Sequence, residues 1–136
     1  MTATATTGTA ALLLPVGEEW HAVALSSVRE VLALPPVASM PASPPWLAGL
    51  VNVRGELLPA VDTGRALGAA ATEATHVAVV DTESGSAAVL VTGTPEPGVL
   101  GDRQAEGAAA GSAGQYAVDG RTATVLDLDG ILGRVR

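Results

Sequence analysis

The sequence predicts an all-β protein assembled from short hairpins, a barrel arrangement rather than a helical one. Three observations predict it: about eight short apolar runs rich in Val, Leu, Ile and Ala, turn signals between them at short spacing, and helical signals that are few and brief. Hydrophobic residues make up 48% of the chain but aromatics only 2%, with no Phe. The core must therefore be built from many small aliphatic contacts, and β-branched residues suit a pleated sheet. A length of 136 residues allows one domain. Folding at that size removes roughly two-thirds of the unfolded chain's surface from water.

The elements follow in order. Residues 1–9 are Thr/Ala-rich without periodicity and read as a flexible tail ahead of one domain over residues 10–136. Residues 10–16 and 20–25 form a first hairpin around Gly17-Glu18-Glu19. Ser27 and Glu30 have the spacing of a capping box, which predicts a short helix ending before Pro35-Pro36. The segment 35–45 holds five prolines and reads as an extended connector. Trp46-Leu47-Ala48-Gly49 suggests one helical turn closed by Gly, after which residues 50–53 and 57–61 make a second hairpin. Asp62 or Thr63 caps a brief helix through Arg65-Ala66-Leu67. Residues 75–82 and 87–92 form a third hairpin, and residues 116–118 and 122–128 a fourth around Asp119-Gly120-Arg121. Residues 93–114, rich in Gly, Ala and Pro, are left irregular. Asp127 or Asp129 precedes a last turn. The pattern fits one barrel or two small barrels sharing a core.

Composition narrows function. Net charge is −7, and all seven cations are Arg. Nucleic acid is excluded as the expected partner, because phosphate binding needs a basic stripe. The absence of Cys excludes disulfides, a thiol nucleophile and Cys-ligated zinc. No apolar run approaches the ~20 residues that cross a bilayer, and residues 1–9 lack the marks of a targeting signal, so a cytoplasmic location without membrane insertion is expected.

Catalytic constellations do not assemble. His21 and His76 both lie in predicted strands flanked by apolar residues, where packing explains them, and neither neighbours a nucleophile turn. Asp127-Leu128-Asp129-Gly130 resembles part of a calcium loop but lacks its final Glu, so a strand end and helix cap is expected. Arg54 is different in kind. It sits at a hairpin tip beside Asn52 and Glu56, with a planar fork suited to a carboxylate. It reads either as a solvated turn residue or as a binding residue. Glu30 reads either as a helix cap or as the ion-pair partner of Arg54. Trp46 reads either as a partner-binding anchor or as a core plug.

The stretch Gly49-Leu50-Val51-Asn52-Val53-Arg54-Gly55-Glu56-Leu57-Leu58-Pro59-Ala60-Val61-Asp62 resembles the central signature of the CheW-like family of bacterial chemotaxis adaptors. Weaker likeness extends over nearly the whole chain after the tail. The resemblance implies two small SH3-like five-stranded β-barrels around a shared apolar core, with short helical turns. It implies a non-enzymatic adaptor without a cofactor, whose partners are the regulatory domain of a CheA-type histidine kinase and the cytoplasmic tip of a chemoreceptor. Val28, Glu30, Asn52, Arg54 and Gly55 fall at the family's partner-binding or motif-shaping positions, as does Gly49. The same module in another phosphorelay such as pilus motility, or a small-ligand-binding β-barrel, are the alternative functions. Residues 92–98 would break the ordered helical connector that the family carries there, so a reduced second barrel is expected.

Overall fold

The computed structural model describes residues 6–105 and 112–133. The chain begins with β1 (Ala10–Val16) and β2 (Glu19–Ala24), then takes a 3-10 turn (Leu25–Ser27) into β3 (Val28–Ala33). The proline connector leads to β4 (Leu47–Val53), β5 (Glu56–Val61) and the short helix α1 (Thr63–Ala66). There follow β6 (His76–Thr82), β7 (Gly85–Val91), β8 (Glu96–Val99), β9 (Arg103–Ala105), β10 (Ser112–Val118), β11 (Arg121–Leu126) and helix α2 (Leu128–Leu132). The strands form two sheets, a six-stranded one in the order β8-β1-β2-β11-β10-β9 and a five-stranded one in the order β3-β6-β7-β5-β4. The all-β, two-unit arrangement is thus as expected, with one strand more than five in the first sheet.

Period-two side-chain alternation explains how two small sheets share one core. Along β1, Leu12 and Leu14 point to the space between the sheets, while Ala11 and Leu13 fill the interior of the six-stranded sheet with Tyr116, Val118 and Val125. Along β6, Ala78 and Val80 join the shared core, and Val77 and Val79 pack inside the five-stranded sheet with Val51, Val53 and Leu58. Strands buried on both faces read as continuous apolar runs, which is why 77–80 and 87–91 show no polar alternation. Each sheet also contains one parallel pairing, β2 with β11 and β5 with β7, so hairpins distant in sequence are joined into one unit.

Four expectations are corrected. The helix at Ser27–Glu30 is instead β3, which pairs antiparallel with β6 from Val28↔Val80 to Ala33↔His76. A capping-box spacing was matched, but Val28, Val31 and Leu32 gain strand partners that a helix would forgo. The helical turn at Trp46-Leu47-Ala48-Gly49 is the beginning of β4, and Gly49 (φ +153°) is a close-approach residue rather than a helix cap. A Cβ there would land on the Ala38 carbonyl, which the connector brings against β4 through paired Ala38 and Leu50 backbone hydrogen bonds of 2.9 Å. The segment 93–105 is not irregular, since β8 and β9 form the two edges of the six-stranded sheet; the residues 106–111 of the same stretch lie outside the described residues. Pro97 sits opposite Leu12 on an edge, where a missing N–H leaves no ladder bond unmade. The second barrel is consequently not reduced. Of the residues read as tail, 1–5 lie outside the described residues, and Gly8 donates its N–H to the Leu100 carbonyl at 2.8 Å.

Both aspartate caps are as expected. Asp62 accepts from Arg65 N–H at 3.1 Å and Asp127 from Gly130 N–H at 3.0 Å. Asp62 is also buried and accepts from the Thr72 hydroxyl at 2.7 Å, which fixes the loop after α1.

Candidate partner-binding site

The β4–β5 hairpin turns through Arg54 (φ +53°) and Gly55 (φ +87°), with Val53 paired to Glu56 on either side. Two consecutive left-handed residues are what a tight hairpin matched to strand twist requires. Gly55 needs its glycine for this angle alone, because a Cβ there would meet nothing within 4 Å. Asn52 braces the tip from below, its side-chain oxygen accepting the Gly55 N–H at 2.9 Å. Asn52 and Gly55 are therefore shaping residues, and Arg54 is the side chain they present.

Arg54 reaches back across the barrel to Glu30 on β3. Its Nε donates to both carboxylate oxygens (3.2 and 3.0 Å) and its Nη2 to Oε1 (3.0 Å), a forked, charge-assisted contact. Glu30 does not cap a helix; the ion pair is its role. A bulge in β3 between Val28 and Glu30 sets Arg29 out of register, and it takes a different set of partners. Arg29 donates to Glu56 at 3.0 Å, and to Asp81 and the Ser86 hydroxyl at 2.7 Å each. Alternating charges thus join β3 to the β4–β5 and β6–β7 hairpins. Hydrogen bonds from Arg54 hold the Glu30 carboxyl below its ordinary value; desolvation opposes them, and the charges of Arg54 and Arg29 add to the lowering. Asp81 is likewise lowered, by the Ser86 hydroxyl first and Arg29 second.

Val28 lies at the start of β3, half-buried against the shared core, apart from the ion pair. Its neighbour Ser27 lines a cleft of about 300 Å³ between the sheets, together with Val23, Ala24, Val80 and Leu126. Asp81 also lines it, so the cleft and the charge network meet at one carboxylate. Gly49 is buried beneath the connector and shapes the site from behind. Trp46 is 3% exposed within the shared core, which settles it as a plug rather than an exposed anchor.

Sequence reasoning missed Arg29, Glu56, Asp81 and Ser86. No alternation in Val28-Arg29-Glu30-Val31-Leu32-Ala33 could have marked the strand, since the half-buried Glu30 and the exposed Val31 reverse the usual apolar-in pattern. Neither histidine lies in this site: His21 is buried between β1 and β11, and the His76 ring contacts the Thr75 hydroxyl at 2.8 Å. Among the described residues no group of three or more His, Cys, Asp or Glu could hold a metal, and no helix is long and apolar enough to cross a membrane.

A double-sheet scaffold with an Asn-x-Arg-Gly-Glu hairpin ion-paired to the strand at the opposite edge of its sheet defines a class, and the chain belongs to it: the CheW-like domain family matches residues 10–136. Over 131 residues the chain is 30% identical to the chemotaxis protein CheW of Rhizobium meliloti (strain 1021), covering 85% of this chain and 82% of that protein. Over 67 residues it is 36% identical to a probable chemotaxis protein CheW of Rhizobium etli, covering 48% of this chain and 43% of that one. The fold is also that of the scaffolding protein TtCheW from Thermoanaerobacter tengcongensis, with a TM-score of 0.75 at 16% identity over 89% of this chain and 90% of the other.

Proposed function

We infer that this protein is a non-enzymatic cytoplasmic adaptor of chemotaxis signalling, which couples methyl-accepting chemoreceptors to a CheA-type histidine kinase. The observation that carries this reading is the Arg54–Glu30 pair on the family's signature hairpin. Arg54 engages Glu30 through Nε and Nη2, its side chain is 79% exposed, and among the described residues no acceptor takes Nη1, which leaves it for an acceptor on a partner. Val31, next to Glu30 on β3, and Leu57, opposite Asn52 on β5, are exposed apolar residues on the strands that carry or flank the pair. Exposed apolar side chains and a fixed charge suit an interface whose affinity comes from apolar burial and whose specificity comes from polar groups.

Val28, Glu30, Asn52, Arg54 and Gly55 make up the proposed partner-binding set, with Asn52 and Gly55 acting by shaping the turn. The inter-sheet cleft beside Ser27 and Asp81 suits the tip of a chemoreceptor hairpin, and the exposed β4–β5 tip suits the kinase regulatory domain. No cofactor enters the proposal. Its test is a coupling assay: receptor-bearing vesicles and CheA-type kinase are combined with and without this protein, and kinase autophosphorylation is followed. Stimulation that depends on both receptor and this protein supports the adaptor; equal kinase activity with and without it contradicts the coupling role.

A further inference from the structure

A second cleft, of about 390 Å³, opens at the start of β2, at the other end of that strand from Val23 and Ala24. Its walls come from both units: Val16, Glu19 and His21 from the six-stranded sheet, and Leu67, Ala70 and Glu73 from the segment after α1. The volume lies within the range of small-ligand sites. His21 is 1% exposed, and among the described residues neither of its ring nitrogens has a hydrogen-bond partner. The Glu19 carboxylate stands 3.7 Å from Nε2, a Coulombic contact too long for a hydrogen bond. Native structures seldom leave a buried polar ring unsatisfied, because the unmade hydrogen bond costs its full desolvation. The buried group in a cleft wall is therefore a group that awaits a partner.

The lining selects the kind of partner. Burial holds the imidazole below its ordinary value, with Glu19 opposing the shift, so near pH 7 the ring is neutral and one of its nitrogens accepts a hydrogen bond. Glu19 and Glu73 are carboxylates, Val16, Leu67 and Ala70 are apolar, and among the described residues no Arg lines the cleft. An anion is disfavoured there. A metal ion is disfavoured too, since these side chains do not gather into a group able to hold one. We propose that the cleft binds a small alkylammonium ion, its N–H groups directed to Glu19 and the acceptor nitrogen of His21, its charge further favoured by the Glu73 carboxylate in the lining, its alkyl chain against Val16 and Leu67. The ligand would bridge the two sheets at a place remote from the β4–β5 tip.

The test is an NMR titration of the full chain with n-butylammonium, and separately with butyrate and with zinc. Saturable shifts at Val16, His21 and Leu67 with n-butylammonium alone are the expected result, at least tenfold weakened in Glu73→Gln and lost in His21→Leu. Glu73 is exposed, so its variant carries the test even if the His21 variant does not fold. The proposal is overturned by the absence of saturable shifts with n-butylammonium, by butyrate binding as tightly, by zinc alone moving His21, or by unchanged affinity in Glu73→Gln.

Discussion

Arg54 illustrates how one residue can be exposed and yet fixed. Its guanidinium is held by three hydrogen bonds to Glu30, while most of its side chain faces solvent. Exposed ion pairs contribute little to stability and are screened by salt, so the pair matters for orientation. Arg54→Ala is expected to leave Tm within a few degrees, as surface substitutions do. Arg54→Lys is expected not to restore partner binding, because a lysine cannot reproduce the forked contact. Titration provides a separate check. The folded Glu30 carboxyl lies below its ordinary value, so the pair is intact above the usual carboxylate range and is lost as pH falls through the folded value. An NMR titration of Glu30 should give a higher midpoint in Arg54→Ala than in the parent protein; equal midpoints would mean that the pair is not formed in solution. The turn residues Asn52, Arg54 and Gly55 were legible in the sequence because an Asn-x-Arg-Gly step has local turn chemistry. The partners of Arg29 were not, since Glu56, Asp81 and Ser86 come from two other hairpins.

At the scale of elements, local and tertiary signals competed, and the tertiary ones prevailed. The four hairpins and both aspartate caps were readable, because turn residues and caps act over three or four positions. Strand β3 was hidden by a local Ser-x-x-Glu match, and β8 by prolines that an edge strand tolerates. Two glycines on the signature stretch separate these influences. Gly49→Ala would drive a Cβ into the Ala38 carbonyl and should destabilise the fold by about 2 kcal/mol or more, whereas Gly55→Ala meets only the left-handed backbone preference, roughly 1 kcal/mol. Urea unfolding of the two variants checks this; equal losses would show that the connector does not press on β4. Asp62→Ala removes the α1 cap and the Thr72 anchor together, and a loss of roughly 1–3 kcal/mol is expected in the same measurement.

For the whole molecule, the two sheets share one buried core. Trp46, Val61, Val80 and Val89 from one side pack with Leu12, Leu14, Val23 and Leu126 from the other. This sharing was implied by likeness to a family rather than by periodicity, since doubly buried strands look alike in one barrel or two. His21, at one edge of that core, also gives stability a pH dependence. Its folded pKa is depressed, so as pH falls below the ordinary value of 6.5 the unfolded chain takes up the proton first and stability declines. The loss should continue through the folded value, and urea unfolding at pH 7 and pH 5.5 should show a decline that His21→Leu lessens.

What the molecule does as a whole depends on whether the Arg54 hairpin meets a kinase. The most direct measurement is calorimetry of the full chain against the regulatory domain of a CheA-type histidine kinase from the same organism, repeated with Arg54→Ala. Saturable binding that falls at least tenfold in the variant, with Tm essentially unchanged, is the expected result; no binding by the parent protein, or equal binding by both, would contradict it.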